Sequence, residues 1–137
     1  MKNKILILII ALITISTKCY KNRVDCHQII YVNNNSNNTI YFYRGNYYPD
    51  TSIKNFNPVL SGNTYKVDEQ SVTKNYSRGC YEDDFQYSHN KLIYFIFDAN
   101  TLETTPWDTV RAKYLILKRY EFTLEDFQNN NFTITYP

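Results

Sequence analysis

The chain has 137 residues with 15 basic and 13 acidic side chains, a net charge of +2. Three of the lysines (Lys2, Lys4 and Lys18) precede Cys19, and the 119 residues from Cys19 onward carry 12 basic against 13 acidic side chains, a net charge of −1. This balance excludes the basic footprint of a nucleic-acid-binding protein. A chain of this length fits one domain with a single hydrophobic core.

Residues 1–18 have the pattern of a secretory signal peptide. Lys2 and Lys4 form a charged start, and residues 5–15 are a run of eleven that is apolar except for Thr14. This length suits the middle region of a signal peptide and is well below the ~20 residues of a membrane-spanning helix. We therefore predict that residues 1–18 direct export.

The end of this leader resembles the lipobox of bacterial lipoproteins, because small residues precede Cys19. The pattern predicts a lipid on Cys19 and a membrane anchor, although Lys18 stands where Gly or Ala is preferred. The alternative is a soluble periplasmic or secreted protein without a lipid. We expect residues 19–26 to be a polar tether and residues 27–137 to be a single β-rich domain.

The three cysteines are an odd number, which needs an explanation in an oxidising compartment. With Cys19 assigned to the lipid, Cys26 and Cys80 remain, and we predict that they form a disulfide. The alternative is two separate reduced thiols.

The segment 91–98 (KLIYFIFD) organises the predicted fold. Residues 92–97 are apolar without a polar gap, which predicts a strand covered on both faces. We expect a mainly β, antiparallel, sandwich-like domain of six to eight short strands, with two short helical segments near the C-terminus.

The N-terminal half predicts a β-hairpin, with strands at 28–33 and 39–44 joined by the Asn-rich turn 33–38. Residues 45–60 are predicted to be an extended connection with a turn at 48–50. Short strands are expected at 64–67 and 71–76, followed by a polar loop over 77–90.

The C-terminal third predicts a helix over 106–113, capped by Thr105 and started by Pro106. A strand follows at 114–122, then a helical turn capped by Thr123 and Asp126, and a last strand at 132–136. The alternative fold is α+β, with helix 106–113 covering one sheet face. A parallel pairing of the central strand with 114–122 remains open at this point.

Sequence motifs for common chemistries are absent, including a Gly-rich phosphate loop, H-E-x-x-H, C-x-x-C and G-x-S-x-G. Glu82, Asp83 and Asp84 with His89 are the best metal candidates, but they lack the alternating spacing of a Ca²⁺ loop. We interpret them as a solvated acidic loop and expect no metal or other cofactor. A nucleophile near His89 would have to be Ser77 or Ser88.

Tyrosines are the most suggestive binding residues. Tyr41 and Tyr43 alternate on one face of the predicted strand 39–44, and Tyr47 and Tyr48 follow. Exposed tyrosines in this arrangement suit a sugar ring or a partner protein. The alternative, which we favour, is that the face of Tyr41 and Tyr43 is covered by another part of the chain.

Six short segments carry a resemblance to a known family: Asn34–Ser36, Tyr48–Thr51, Thr105–Trp107, Leu117–Tyr120, Leu124–Asp126 and Ile134–Pro137. The chain resembles an uncharacterised family of small exported, lipid-anchored proteins of Bacteroides-type Gram-negative bacteria. The resemblance implies an envelope location and a mostly β domain, and it implies no activity.

Three hypotheses about function follow. The first is a non-catalytic binding or structural domain of the cell envelope with a protein or glycan partner. The second is an immunity- or inhibitor-type protein that binds one protein. The third, least favoured, is a hydrolase with dispersed catalytic residues.

Overall fold

The computed structural model describes residues 26–137. The predictions for the leader, for Cys19 and for the tether before Cys26 lie outside the described residues. The strands are β1 (Ile29–Asn34), β2 (Ile40–Arg44), β3 (Lys66–Val67), β4 (Ser71–Tyr76), β5 (Lys91–Asp98), β6 (Lys118–Thr123) and β7 (Thr133–Tyr136). The helices are α1 (Tyr81–Tyr87), α2 (Ala99–Thr104), α3 (Trp107–Ala112) and α4 (Leu124–Asn129), and a 3₁₀ segment spans Pro58–Tyr65.

The described strands form two sheets. One has the order β4-β1-β7, and the other has the order β3-β2-β5-β6. All neighbouring pairs are antiparallel except β1 and β7, which run parallel. The prediction of a mainly β, mostly antiparallel, sandwich-like fold is confirmed.

Both faces of strand β5 are buried, because the strand lies between two hydrophobic cores. Leu92, Tyr94 and Ile96 pack into a core shared with the three-stranded sheet. The alternate residues Ile93, Phe95 and Phe97 pack into a second core on the opposite side. The prediction that this strand is covered on both faces is confirmed.

The second core lies against the outer face of the four-stranded sheet, which we call the covered face; it carries Tyr41, Tyr43, Ile93, Phe95 and Phe97. Residues from α2 and α3, together with Ile53 of the connection after β2, cover it. The α+β alternative therefore anticipated one feature correctly, a helix against one sheet face. The open question of parallel pairing is also answered, since β6 runs antiparallel to β5.

The predicted hairpin is wrong, because β1 and β2 belong to different sheets. The wholly buried Asn34 turns the chain between them. Its side-chain amide donates hydrogen bonds to the carbonyls of Asn38 (2.8 Å) and Asp68 (2.9 Å), and its side-chain oxygen accepts one from the Ser36 N–H (3.0 Å). These bonds hold a corner rather than a tight turn, and both faces of β2 are then buried between the two cores.

The predicted polar loop 77–90 is also wrong, because it contains α1. Tyr81 and Phe85 lie four residues apart and are both buried, so the helix has an apolar side in spite of its polar composition. Three acidic residues in its first turn stabilise the helix, because negative charges interact favourably with the positive end of the helix dipole.

Helix α2 was not predicted, and it changes the capping of α3. The Asp98 side chain caps α2 by accepting a hydrogen bond from the Thr101 N–H (2.7 Å). Thr105 ends α2 and makes no side-chain cap for α3, whose N-cap position is Pro106. The predicted helix is therefore present, but the predicted cap is wrong.

Towards the C-terminus, the capping box of Thr123 and Asp126 at the start of α4 is confirmed. Phe122 and Phe127 flank it with ring centroids 5.0 Å apart, as a hydrophobic staple requires. The strand predicted from residue 114 begins only at Lys118. Within residues 26–137, no helix has the length and apolar character needed to cross a membrane.

Candidate functional site

The four tyrosines considered as a binding surface do not lie together on one exposed face. Tyr41 and Tyr43 are 3% and 7% exposed and belong to the second core, under the connection after β2. Tyr47 is 59% exposed, and Tyr48 packs at the margin of that core. Tyr41 and Tyr43 therefore cannot serve as an exposed platform, and the alternative of a covered face describes them.

The acidic residues of α1 have structural partners. Glu82 accepts hydrogen bonds from His27, and Asp84 pairs with Arg44 at 2.6 Å. In the part of the chain that the structure describes, no group of three metal-ligating side chains is close enough to hold an ion.

The serine and histidine considered for hydrolysis are not arranged for it. The Ser88 side chain is wholly buried, and its hydroxyl accepts a hydrogen bond from the Tyr48 N–H (2.9 Å). His89 is exposed in a left-handed backbone conformation, with a φ of 48°. This arrangement serves the turn after α1 and does not activate a nucleophile.

Cys26 and Cys80 are joined by a disulfide with a Cα–Cα distance of 5.0 Å. The bond ties the chain just before β1 to the N-cap of α1. Disulfides persist in oxidising compartments, so the bond indicates a non-cytoplasmic location.

The outer face of the three-stranded sheet is a candidate surface. We call it the open face; its residues are Ile29, Tyr31 and Asn33 of β1, Val72, Lys74 and Tyr76 of β4, and Thr133 and Thr135 of β7. Tyr76 is 68% exposed and Val72 is 60% exposed. Exposed apolar side chains gathered on one sheet face are a feature of interaction surfaces.

The register of the strands sets the pattern of the open face. Ile29 lies opposite Tyr76, and Tyr31 lies opposite Lys74, whose ammonium is 5.8 Å from the tyrosine ring centroid. The inward residues Ile30 and Val32 are wholly buried. The face therefore presents its aromatic residues on a sheet that the core holds in place.

A cleft of about 730 Å³ adjoins one end of the open face. It is lined by Ile29, Tyr31 and Tyr76 from the face and by His27, Gln128 and Phe132, among others. The open face and this cleft together form the candidate site.

His27 and Phe132 pack against each other in the cleft. Their rings are stacked with centroids 3.8 Å apart. The His27 Nδ1 lies 2.6 Å from Glu82 Oε1, and the His27 backbone N–H donates to Glu82 Oε2 (3.1 Å). Asn131 and Phe132 have positive φ angles, which turn the chain from α4 into β7 and place Phe132 beneath the histidine. The site thus combines aromatic rings with side-chain amides and a histidine–carboxylate pair.

This site was not predicted from the sequence, although a signal for it was present. Ile29, Tyr31 and Asn33 alternate with buried residues, and the exposed Val72, Lys74 and Tyr76 alternate with half-buried ones. The alternation identifies two outward faces, but it does not reveal that they lie side by side, because β1 and β4 are separated by 36 residues of chain.

Comparisons with protein-family models, with curated proteins and with solved structures found no match to this chain. The candidate site is therefore interpreted from its own geometry and chemistry.

Proposed function

We propose that this protein is an exported, non-catalytic binding domain of the bacterial cell envelope, and that its open face and the adjoining cleft bind a protein partner. The observation that carries the proposal is the group of exposed aromatic and aliphatic residues, Tyr31, Tyr76 and Val72, on one sheet face. Tyrosine is enriched among the residues that contribute most to protein–protein affinity.

The size of the surface constrains the mode of binding. Three strands about 4.8 Å apart, with six, six and four residues, give a face on the order of 250 Å². A standard protein interface buries about 800 Å² on each partner. The partner must therefore extend beyond the face, and the cleft at its end supplies a concave, partly apolar continuation.

Export and anchoring form the second half of the proposal. The disulfide supports a location outside the cytosol. The lysines and apolar run of residues 1–18 support a signal peptide, and Cys19 directly after it supports a lipid anchor. Intact-mass measurement of the protein isolated from its native cells tests both. We expect a chain that begins at Cys19 and carries added acyl mass; a mass that includes residues 1–18 would contradict export.

The binding test compares variants of the open face with a matched control. The double variant Tyr31→Ser/Tyr76→Ser removes both tyrosine rings of the open face, whereas Tyr87→Ser removes a ring that is 75% exposed on α1. Each protein is expressed in the native cell, crosslinked in place and purified with its partners. We expect a specific crosslinked protein with the wild type and with Tyr87→Ser, and its loss with the double variant.

Two outcomes would contradict the proposal. Equal recovery of every crosslinked protein with the double variant would exclude the open face as the interface. Unchanged protein recovery, together with binding of the wild type but not the double variant to purified envelope glycans, would replace the protein partner with a glycan. A single partner recovered in a one-to-one complex would narrow the proposal to an immunity- or inhibitor-type protein.

A further inference from the structure

A second, smaller pocket lies where β2 ends, and it is lined by Arg44, Gly45, Asn46, Tyr47 and Lys54. We call it the cation pocket. Its volume is about 210 Å³, which is ample for a small ion or one charged group of a larger molecule. It shares no lining residue with the cleft beside the open face.

Hydrogen bonds and close packing hold the backbone around this pocket in place. Gly45 donates a hydrogen bond from its N–H to the Ile93 carbonyl (2.8 Å), and a Cβ at Gly45 would lie 3.0 Å from atoms of Ile93 and Phe95. The strand end therefore packs directly against β5. Asn46 donates hydrogen bonds to Asp50 (2.8 Å) and Ser52 Oγ (2.9 Å), which closes the loop that brings Lys54 back to the pocket.

The charges of the pocket are not balanced. Arg44 pairs with Asp84 through Nη1 (2.6 Å), and a guanidinium carries further N–H donors besides the one engaged in this pair. Lys54 is half-buried over the Tyr43 ring, with its ammonium 5.9 Å from the ring centroid. Within residues 26–137, no carboxylate lies within ion-pair distance of Lys54.

The electrostatics of Lys54 reflect this imbalance. Burial lowers the pKa of the Lys54 ammonium, the Arg44 charge lowers it further, and Asp84 opposes the shift. Asp50 lies behind Asn46 and engages Ser52 through its carboxylate. Asp84 is thus the carboxylate that acts on the Lys54 ammonium, and it is already paired with Arg44.

We propose that the cation pocket binds a small tetrahedral oxyanion, such as a phosphate group, between Arg44 and Lys54. A guanidinium and an ammonium are the two side-chain groups that proteins use for phosphate, the first through directed N–H donors and the second as a point charge. An oxyanion here accepts hydrogen bonds from both and supplies the charge that the pocket lacks. The proposal does not depend on the open face or on its partner.

The test is an NMR titration of the isotopically labelled, processed protein with inorganic phosphate at constant ionic strength, using chloride as the balancing ion. We expect saturable shifts of the amide signals of residues 44–47 and of Lys54, while signals of the open face stay in place. Lys54→Gln should weaken phosphate binding by about tenfold, the effect of removing one charge-assisted hydrogen bond. Lys54→Arg should retain binding, because it keeps the charge and the donors.

Lys118→Gln is the matched control. Lys118 also lies over a tyrosine ring, 5.7 Å from the Tyr120 centroid, but it lines neither the cation pocket nor the cleft beside the open face. We expect its phosphate affinity to equal that of the wild type. Linear, unsaturated shifts, an equal response to added chloride, or an unchanged affinity in Lys54→Gln with the rest of its spectrum intact would overturn the proposal.

A second titration identifies the source of the phosphate group. Glucose 6-phosphate presents the same oxyanion on a larger molecule. Tighter binding than inorganic phosphate would assign the pocket to a carried phosphate group, and equal or weaker binding would assign it to the free ion.

Discussion

The covered face and the open face use the same chemistry with opposite exposure. On the covered face, Lys66 and Lys54 lie over the rings of Tyr41 and Tyr43 at 5.7 and 5.9 Å from their centroids. On the open face, Lys74 lies over Tyr31 at 5.8 Å. The difference arises in the rest of the chain, because the connection after β2 and helices α2 and α3 pack over one face, whereas the other remains exposed. A local tyrosine–lysine pattern therefore does not determine whether a face belongs to the core or to a binding surface.

The largest effect on stability is expected from removing the two buried tyrosines of the covered face. Removing the two exposed tyrosines of the open face is the comparison. Tyr41→Ser/Tyr43→Ser should lower the free energy of unfolding by roughly 6 kcal/mol, since truncation of a buried aromatic side chain costs about 3–5 kcal/mol and the two sites are neighbours. The exposed pair Tyr31→Ser/Tyr76→Ser should cost about 1 kcal/mol or less. Urea unfolding at constant pH measures both.

The single variants keep this comparison measurable if the double variant does not fold. Tyr43→Ser alone should lower the free energy of unfolding by about 3 kcal/mol. Equal losses for Tyr43→Ser and Tyr76→Ser would show that the two faces do not differ in burial in solution.

The disulfide should stabilise the side of the molecule that carries the open face. The Cys26–Cys80 bond closes a loop with a sequence separation of 54. Cys26→Ala/Cys80→Ala should lower the free energy of unfolding by about 4 kcal/mol in the chain-entropy model. Hydrogen exchange should quicken first in β1 and β4, and less in β2 and β5. A reductant should destabilise the wild type and leave the double variant unchanged; uniform loss of protection in both sheets would contradict the regional effect.

Single strands were predictable wherever burial follows from local composition. The apolar run in β5 requires cover on both faces. The alternation in β2 places Ile40 and Phe42 on one face of the strand and Tyr41 and Tyr43 on the other. The capping box of α4 is equally local, since Thr123 and Asp126 bond each other's backbone N–H groups. In each case the sequence pattern that predicts the element lies within a few residues.

The pairing of strands was not predictable, because it depends on distant parts of the chain. The hairpin prediction failed at Asn34, whose bonds reach across the chain to Val67 and Asp68. Helix α1 was missed because only Tyr81 and Phe85 of its seven residues are buried, and two residues four apart are too weak a pattern to predict a helix. The candidate site was not predicted because its strands β1, β4 and β7 are distant in the sequence and become neighbours only in the folded sheet.

A pH titration separates the buried tyrosines from the exposed ones. Burial raises the pKa of Tyr81 to about 12 and that of Tyr94 well above its ordinary value. Between about pH 10 and pH 12 the unfolded chain loses the Tyr81 proton before the folded protein does, so the free energy of unfolding falls as the pH rises. For Tyr81 the fall should be about 2 kcal/mol.

Tyr81→Phe should make this fall shallower, because it removes the proton that the folded state retains. The control Tyr87→Phe changes an exposed tyrosine on the same helix and should leave the slope as in the wild type. Urea unfolding measured from pH 9 to pH 12 gives both slopes. Identical slopes for the two variants would show that the Tyr81 phenol is equally hydrated in the folded and unfolded states.

The smallest effect concerns the lysines that lie over the two faces. Lys66 also pairs with Glu103 at 2.8 Å, and Glu103 accepts a hydrogen bond from the Tyr41 hydroxyl (2.8 Å). Hydrogen bonding to Glu103 raises the pKa of Lys66, which shows that the folded state favours the charged ammonium. Lys66→Met should therefore lower the free energy of unfolding by about 0.5–1 kcal/mol at low salt, and less at high salt. Lys74 has no ion pair within residues 26–137, and Lys74→Met leaves an aliphatic side chain beside Tyr31, so this variant should change stability by at most about 0.5 kcal/mol. Thermal unfolding at low and high salt distinguishes the two, and an equal, salt-independent loss would show that Glu103 adds nothing at the covered face.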